Sequence, residues 1–312
     1  MSQIMNSESK LIDFSILIGL VSTEDSERIF EMLNALRAQT VKHSYEVIIA
    51  DRRNNNISNK IKEKYPEVSL ISAPSTTSLP ELRTLALDEA VGTYYIVTED
   101  HTVASLDWLA SVWNVFESAD EGTVAVGGCV ENGVYESPFD WATFLCEYSY
   151  FLEPVSEGYT HVLPGMNIAY HHSIFDNVER SLLTEGFWET TIHPSLLEKG
   201  FKFYSSNQIK LFHSKKFSFR LFAKQRFIYS RYYAALRFKP NQPFKKLVAC
   251  LSTTVLPLLL LFRSIKQITA KKRLKAEFKS AIPFLLVFYI IWSLGEMTGY
   301  LLGKGDSLSR IE

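Results

Sequence analysis

Residues 94–103 read YYIVTEDHTV and join an apolar run to three adjacent side chains that bind protons or metal ions. The run has the composition of a strand that is buried on both faces of a sheet. Glu99, Asp100 and His101 follow where this strand ends, and their oxygen and nitrogen atoms suit a divalent cation. The same residues also suit a solvated turn in which Asp100 or Thr102 caps the next helix. The stretch by itself leaves both interpretations open.

Three further apolar runs precede this strand, and segments with helical spacing separate them. The runs cover residues 14–21, 46–50 and 68–72. Asp25 and Ser26 are predicted to cap the first helix. Alternating strands and helices predict an α/β fold with a mostly parallel central sheet flanked by helices. Ligands bind beyond the carboxyl ends of the strands in such a sheet, so Asp51, which follows the second run, is expected at the same edge as Glu99 to His101.

The charge of the chain is balanced overall but unevenly distributed. The 312 residues carry 33 basic and 34 acidic side chains, and this balance favours neither nucleic acid nor an acidic protein as a partner. Lys and Arg crowd residues 202–279, whereas residues 1–200 are acidic overall. This asymmetry predicts that one part of the molecule lies against an anionic surface.

Cysteine usage and the N-terminal sequence both favour a reducing compartment. Cys129, Cys146 and Cys250 lie far apart without metal-type spacing, so free thiols are expected rather than a disulfide framework. Residues 1–14 lack the basic flank and apolar core of a signal peptide. We therefore expect the first domain to stay in the cytoplasm.

The C-terminal part of the chain is the most apolar. Residues 247–262 carry no charge and residues 281–302 carry only Glu296, while 263–279 between them hold seven Lys or Arg and one acid. Two buried helices of a soluble domain would give the same apolar pattern. A basic linker between apolar segments favours a membrane surface. Because the first segment is short and contains Pro257, we predict that it enters the cytoplasmic leaflet and returns, while the second spans or re-enters.

A series of short motifs occurs in a fixed order along residues 12–235. They are a polar turn (22–24), EVIIAD (46–51), a helix with Arg83 that ends at Gly92 (82–92), EDH (99–101), VAVGG (124–128), GMNIAY (165–170) and a helix with Glu189 that ends at Gly200. In this order they resemble the family 2 glycosyltransferases, inverting enzymes of the GT-A fold that transfer sugars from nucleotide diphosphates. The sequence departs from the family pattern at Thr84, His101 and Trp188.

The resemblance implies a role for each matching residue. An inverting transfer needs a base for the proton of the acceptor hydroxyl and positive charge on the departing diphosphate. Glu189 corresponds to the base, and Asp100 and His101 correspond to the ligands of a divalent cation, Mn²⁺ or Mg²⁺. The implied substrate-binding residues are Asp51 for the nucleoside, Arg83 for the diphosphate, and Glu99, Gly165 and Asn167.

The resemblance also implies the partners. The donor is a nucleotide sugar, and the acceptor is a saccharide or a lipid-linked saccharide of a cell-surface polysaccharide, since a membrane-associated helical tail at 245–304 would place the catalytic domain, 12–235, near lipid. The expected location is the cytoplasmic face of the cell membrane, against an anionic membrane surface. Nucleic acid is not expected, because the aromatic and basic run 217–238 lies directly before the apolar tail and is interpreted as membrane-facing.

Two other functions stay open. The departures at Thr84, His101 and Trp188 also fit a non-catalytic relative that serves as a membrane partner or scaffold. A nucleotidyltransferase would need a glycine-rich, basic loop after the first strand, and LVSTEDSER at 20–28 is acidic and has no glycine.

The remaining motifs are assigned to packing or to the mode of addition. His171, His172 and His213 have no zinc-type spacing, which favours packing. Residues 225–229, QRFIY, differ from the Gln-x-x-Arg-Trp motif of processive synthases, which favours the addition of a single sugar.

Overall fold

A nine-stranded sheet forms the centre of the computed structural model, which describes residues 12–22, 26–40, 43–53, 55–238 and 241–312. The strands are β1 (Phe14–Leu20), β2 (Tyr45–Asp51), β3 (Ser69–Ser72), β4 (Tyr94–Thr98), β5 (Thr102–Ala104), β6 (Thr123–Asn132), β7 (Gly158–Thr160), β8 (Ile168–His171) and β9 (Lys202–His213). Their order is β3-β2-β1-β4-β8-β6-β9-β5, with β7 paired to β9. Six strands run in one direction and β5, β7 and β8 run in the other. The predicted mostly parallel sheet is confirmed.

Helices flank this sheet on both faces. Among the described residues they are α1 (Ile29–Arg37), α2 (Ile57–Lys64), α3 (Leu79–Asp88), α4 (Trp108–Ser118), α5 (Pro138–Tyr148), α6 (Arg180–Thr184), α7 (Trp188–Thr191), α8 (His193–Glu198), α9 (Phe219–Leu236), α10 (Pro243–Ser252), α11 (Leu256–Lys271), α12 (Lys275–Leu302) and α13 (Ser307–Arg310). α3 begins at a capping box in which the side chains of Ser78 and Glu81 accept from each other's backbone N–H groups. Asp25, predicted as a helix cap, lies outside the described residues, as do Thr23 and Glu24 of the predicted turn.

β1 is buried on both faces, as its apolar composition predicts. Ile16 and Ile18 belong to a core that includes residues of α1 and α4. Leu17 belongs to a second core that includes residues of α3 and α8. Because apolar side chains pack on both faces of the strand, its carboxyl end is held in a fixed position at the sheet edge.

The segment after β4 leads into another strand rather than into a helix. Thr102 begins β5 and its hydroxyl donates to the carbonyl of Glu99 at 2.8 Å. α4 begins only at Trp108, and Asp100 and Thr102 are both buried. Neither residue caps α4, so the interpretation as a solvated helix-entry turn does not fit.

The C-terminal helices pack against the sheet-bearing part of the chain through α12. This helix lies along α9 and α5, and Gly299 is so close to α9 that a Cβ there would lie 3.0 Å from Ala234 Cβ. α10 and α11 are bent by 69° at the break between them. By length and composition, α12 is the one helix of the described residues that could cross a membrane, and the bent α10–α11 pair passes the same test if it counts as one span.

Candidate active site

A cavity of about 370 Å³ opens at the carboxyl ends of β1 and β4. Its lining includes Gly19 of β1, Glu99 after β4, His213 of β9, Arg83 of α3 and Glu189 of α7. Residues of α5, α9 and α12 form a further part of the lining, called here the helical wall. The cavity lies where ligands bind in sheets of this kind and has the size of a small-molecule site.

His101 holds two carboxylates together beside this cavity. Its Nε2 lies 3.0 Å from Glu99 Oε2, and its Nδ1 lies 2.7 Å from Asp100 Oδ1. Burial would lower the pKa of His101, but the two carboxylates raise it to about 9. Burial would raise the pKa of Glu99, but His101 and the charge of Arg83 lower it to about 2. His101 is therefore an imidazolium between two carboxylates, a place that suits a cation.

His213 completes a set of three potential metal-binding side chains. Glu99, His101 and His213 offer one oxygen and two nitrogen atoms that all lie within 4.8 Å of one another. Burial and the charge of His101 hold the pKa of His213 well below its usual value, so its ring is neutral, as a metal ligand must be. The sequence pattern favours packing for His213, because this residue has no metal-type spacing. Spacing could not reveal its position, since the pairing of β9 with β5 is what brings His213 to the site. A histidine at the end of a strand was the available indication.

Asp51 and Asp100 share Arg53, a residue that the sequence patterns did not single out. Arg53 Nε lies 3.0 Å from Asp51 Oδ1, and Arg53 Nη1 lies 3.9 Å from Asp100 Oδ2. Ser58 donates to the other oxygen of Asp51 at 2.5 Å, and Asp51 is outside the cavity lining. Asp100 lines the cavity but is outside the three-residue set of metal donors. The carboxylate within the three-residue set is thus that of Glu99, while Asp100 contacts the Nδ1 of His101.

Arg83 joins three of the residues predicted from the motifs. Its side chain is 2% exposed, its Nη2 donates to Gly165 O at 3.2 Å, and the same atom lies 3.7 Å from Glu99 Oε1. Its Nη1 lies 3.5 Å from Glu189 Oε1. Nε and Nη1 of Arg83 have no hydrogen-bond partner among the described residues. A buried guanidinium with unmet donors at a cavity is suited to bind an anion.

Gly165 allows Glu189 to reach this position. A Cβ at residue 165 would overlap Glu189 Oε1. Glu189 lies in the first turn of α7, and its carboxylate borders both Arg83 and the cavity. The carboxylate is thus placed where a base for an incoming hydroxyl group would be needed.

Asn167 lies in the core instead of the cavity. It is 1% exposed and accepts from Trp108 Nε1 at 2.9 Å. Its Nδ2 donates to Cys129 O at 2.9 Å and to Ile209 O at 3.1 Å. The amide is thus occupied by the protein, and the substrate contact predicted for it has no support from this position.

Two of the departures from the family pattern are also core residues. Thr84 and Trp188 are both buried, and both donate to the carbonyl of Leu183, at 3.1 and 3.0 Å. Neither belongs to the cavity lining. These departures therefore concern how α3 and α7 pack on α6, and they lie outside the cavity.

The last residues of the chain cross the sheet edge near the cavity. Arg52, directly after β2, donates to the carbonyls of Ser309 and Ile311 at 2.8 and 3.1 Å. The backbone N–H of Glu312 donates to Gln225 at 3.0 Å, and Glu312 lines the cavity. No sequence pattern indicated this return of the chain.

The fold is similar to that of known glycosyltransferases. A mannosyltransferase from Pyrobaculum calidifontis, solved in complex with GDP-Man and Mn²⁺, has a TM-score of 0.55 and 14% identity, covering 92% of this chain and 88% of its own. GalNAc-T7 with UDP, GalNAc and Mn²⁺ has a TM-score of 0.49 and 14% identity over 67% of this chain and 44% of its own. TarS 1–349 of S. aureus has a TM-score of 0.46 and 12% identity over 89% and 90%.

Sequence comparison adds no family assignment. No protein-family model matches the chain, and no curated protein matches it either. The similarity to the mannosyltransferase confirms the predicted fold class, a GT-A type central sheet flanked by helices. The C-terminal region adds the apolar helix α12.

Proposed function

We propose that this protein is a metal-dependent inverting glycosyltransferase that moves a sugar from a nucleotide diphosphate to an acceptor hydroxyl. The observation that carries the proposal is the position of Arg83, whose unmet donors lie between Glu99 of the metal-donor set and the carboxylate of Glu189. Diphosphate oxygens suit this guanidinium because they accept paired N–H donors. The mannosyltransferase of the same fold was solved with a nucleotide sugar and Mn²⁺, which agrees with this assignment.

The three metal-donor side chains suit a divalent cation. Glu99, His101 and His213 would hold it, and two imidazoles favour Mn²⁺ over Mg²⁺, which prefers oxygen ligands. A cation held there would neutralise the charge that develops on the departing diphosphate. Because an imidazole must be neutral to bind a metal, His101 would give up its proton when a cation is bound.

Glu189 is the proposed general base. It takes the proton of the acceptor hydroxyl as the hydroxyl oxygen bonds to the anomeric carbon. The bond between that carbon and the diphosphate breaks on the other side, and its electrons leave with the diphosphate. Arg83 lies 3.5 Å from Glu189 and 3.7 Å from Glu99. One guanidinium therefore contacts both the proposed base and the residue that would hold the cation beside the diphosphate.

The three residues that differ from the family pattern lie at positions that support an active enzyme over a scaffold. Thr84 and Trp188 are core residues, and His101 belongs to the metal-donor set. A scaffold has no need of a buried guanidinium with unmet donors beside a cavity, since such a group costs stability.

A substitution of the base tests the proposal. A panel of nucleotide sugars with Mn²⁺ is first screened for release of the nucleoside diphosphate by the full chain. Glu189→Gln keeps the shape of the side chain but removes the proton acceptor, so turnover should fall by roughly 10²–10⁴ while donor binding persists. Glu185→Gln, an exposed neighbour, is the matched control. Equal turnover of Glu189→Gln and wild type would exclude Glu189 as the base, and absence of turnover with every donor would favour a scaffold.

We also propose that α10 and α11 attach the enzyme to an anionic membrane surface. Their exposed apolar side chains include Phe244, Leu247, Leu251, Leu258, Leu259 and Phe262, which are 54–76% exposed. Lys and Arg residues accompany this apolar face, as an anionic lipid surface requires. Two cations of the linker are used internally, because Lys271 donates to carbonyls at 152 and 154 and Arg273 pairs with Glu131. The 69° bend between the helices fits a segment that enters one leaflet and returns.

Vesicle flotation tests the attachment. The double variant Leu258→Glu with Phe262→Glu should lose at least about tenfold in binding to vesicles that contain phosphatidylglycerol, because carboxylates are costly in the acyl region. Val91→Glu replaces an equally exposed apolar residue of the sheet-bearing part and should bind as wild type does. Equal binding of all three proteins would remove α11 from the attachment surface.

A further inference from the structure

The helical wall of the cavity contains a buried ion pair that the proposed transfer step does not use. Arg226 of α9 pairs with Glu147 of α5, and their side chains are 11% and 13% exposed. Both residues line the cavity. Removing two charges from water costs free energy, and the attraction within the pair offsets this cost only when all of its donors and acceptors are satisfied.

The donors of Arg226 are not all satisfied. Its Nε is buried and has no hydrogen-bond partner in the described part of the chain. The guanidinium carbon lies 4.9 Å from the ring centroid of Phe222, 5.5 Å from that of Tyr229 and 5.7 Å from that of Trp292. The aromatic rings hold the guanidinium in place without accepting a strong hydrogen bond from it.

Trp292 comes from α12, the apolar helix of the C-terminal region. Its Nε1 donates to Glu296 at 2.8 Å, which fixes the orientation of the indole. A Cβ at the nearby Gly295 would overlap Ser230 of α9, so the two helices are in close contact here. The C-terminal region is therefore part of the cavity as well as a candidate for membrane attachment.

This combination of groups matches the chemistry of a sugar ring. A pyranose has a face of C–H groups that packs on an aromatic ring and an edge of hydroxyl groups that both donate and accept. Tyr229 and Trp292 both line the cavity beside Arg226 and bring aromatic rings to it. Glu147 accepts hydrogen bonds from hydroxyl groups, and Arg226 donates to them.

We infer that Glu147, Arg226, Tyr229 and Trp292 form a saccharide subsite that holds the acceptor on the helical wall of the cavity. The inference rests on the proposed function, because it places the acceptor hydroxyl in the same cavity as Glu189. The saccharide is either free or the head group of a lipid, and the chemistry of recognition is the same in both cases. The exposed apolar face of α10 and α11 distinguishes the two, since it brings the protein to the lipid that a linked saccharide requires.

Saturation-transfer NMR tests the subsite with a panel of methyl hexopyranosides. The full chain is kept in sugar-free dodecylphosphocholine micelles with Mn²⁺ and a nucleoside diphosphate. We expect at least one hexoside to show transfer to its ring protons, and Trp292→Leu and Glu147→Gln to weaken that binding at least tenfold. Trp292→Phe keeps an aromatic ring and should retain part of the hexoside binding that Trp292→Leu loses. Trp113→Leu is the control, because Trp113 stacks on His43 outside the cavity.

Nucleotide binding measured on the same samples separates this inference from the proposed function. Loss of hexoside binding with nucleotide binding retained in a folded Trp292→Leu protein supports the subsite. Equal hexoside binding by Trp292→Leu and wild type, or no binding of any hexoside by wild type, overturns it whether or not nucleotide binds. Wild type that binds hexosides but no nucleotide would refute the proposed function and leave the saccharide subsite standing.

Decyl glycosides of the same hexoses identify the source of the saccharide. A lipid-linked saccharide is indicated if the decyl glycoside displaces the methyl hexoside at a concentration at least tenfold lower than the unlabelled methyl glycoside does. This advantage of the decyl glycoside should disappear in the double variant Leu258→Glu with Phe262→Glu. Equal displacement by methyl and decyl glycosides indicates a free saccharide. Displacement by neither type in the wild-type protein would overturn the subsite.

Discussion

Two carboxylates in this molecule, one buried and one half-buried, each face an arginine but have different surroundings. Glu296 of α12 accepts from Trp292 at 2.8 Å, from Tyr300 at 3.0 Å and from Arg237 at 3.1 Å. Its network is closed, because each of these donors reaches an oxygen of the same carboxylate. A closed network of this kind repays part of the cost of burying the charge and fixes how α9 and α12 meet.

The network around Glu99 is open. Arg83 lies 3.7 Å from Glu99, and two of its nitrogen atoms have no hydrogen-bond partner in the part of the chain that is described. Arg226, which lines the same cavity, has a similarly unmet donor. Since buried donors without acceptors destabilise a fold, their concentration at one cavity indicates that a ligand supplies the acceptors. Buried charge alone therefore does not identify a site, whereas unmet donors beside a cavity do.

The largest effect on stability should come from opening the closed network. Glu296→Met removes the acceptor of three donors, so the free energy of unfolding should fall by about 3 kcal/mol. Denaturant unfolding measures it, and Glu277→Met on the same helix is the control. Nucleotide affinity of the folded protein should not change. A loss below about 0.5 kcal/mol would mean that the closed network does not stabilise the α9–α12 contact.

A smaller effect is expected from filling space at the open site. Gly165→Ala places a Cβ where Glu189 Oε1 now lies, so the carboxylate must move. A displacement of about 1 Å at a reacting group costs roughly 10²-fold in turnover. Transfer or hydrolysis assays measure this loss, and the melting temperature should stay near that of wild type because the Glu189 side chain can shift. Wild-type turnover by Gly165→Ala would show that the position of the Glu189 carboxylate does not matter for the reaction.

Two histidines, the half-buried His101 and the buried His193, extend the comparison to pH. His101 lies between carboxylates, whereas His193 contacts Tyr170 in the core at 2.7 Å, and burial lowers the pKa of His193 from 6.5 to about 4. The unfolded chain protonates this ring near pH 6.5 while the folded protein keeps it neutral, so wild type loses stability as the pH falls from 6.5 towards 4. His193→Gln cannot titrate. The stability difference between the two proteins should therefore shift by about 2 kcal/mol in favour of the variant between pH 7 and pH 5.

Urea unfolding at both pH values measures this shift. His172→Gln, at an exposed position directly after β8, should show no comparable shift. A pH-independent difference between wild type and His193→Gln would mean that His193 is not kept neutral by burial.

Local patterns predicted the sheet and the ends of its strands. The apolar runs at β1, β2 and β4 are buried on both faces, a property that composition records directly. Because parallel strands present their carboxyl ends at one edge, Asp51 and Asp100 lie close enough to share Arg53, as expected. The motif order, and not the strand pattern, indicated Arg83 beside Glu99. The motif order also placed Gly165 and Glu189 beside them.

Contacts between distant segments were not predictable from those patterns. His213 reaches the metal-donor set through the β5–β9 pairing, and Trp292 reaches the cavity through the packing of α12 on α9. Neither contact leaves a spacing in the sequence, because each depends on how whole elements pair. Asn167 shows the converse, since its motif position suggested substrate while its amide is used to join β6, β8 and β9.

The central claim is that Glu99, His101 and His213 hold the cation that binds a nucleoside diphosphate to Arg83. Calorimetry of UDP and GDP binding with and without Mn²⁺ tests it most directly, with wild type, His213→Gln and the exposed control His172→Gln. We predict Mn²⁺-dependent binding by wild type and His172→Gln, and a loss of at least about 100-fold in affinity for His213→Gln. Unchanged Mn²⁺-dependent affinity in His213→Gln, or nucleotide binding by wild type that does not respond to Mn²⁺, would contradict the claim.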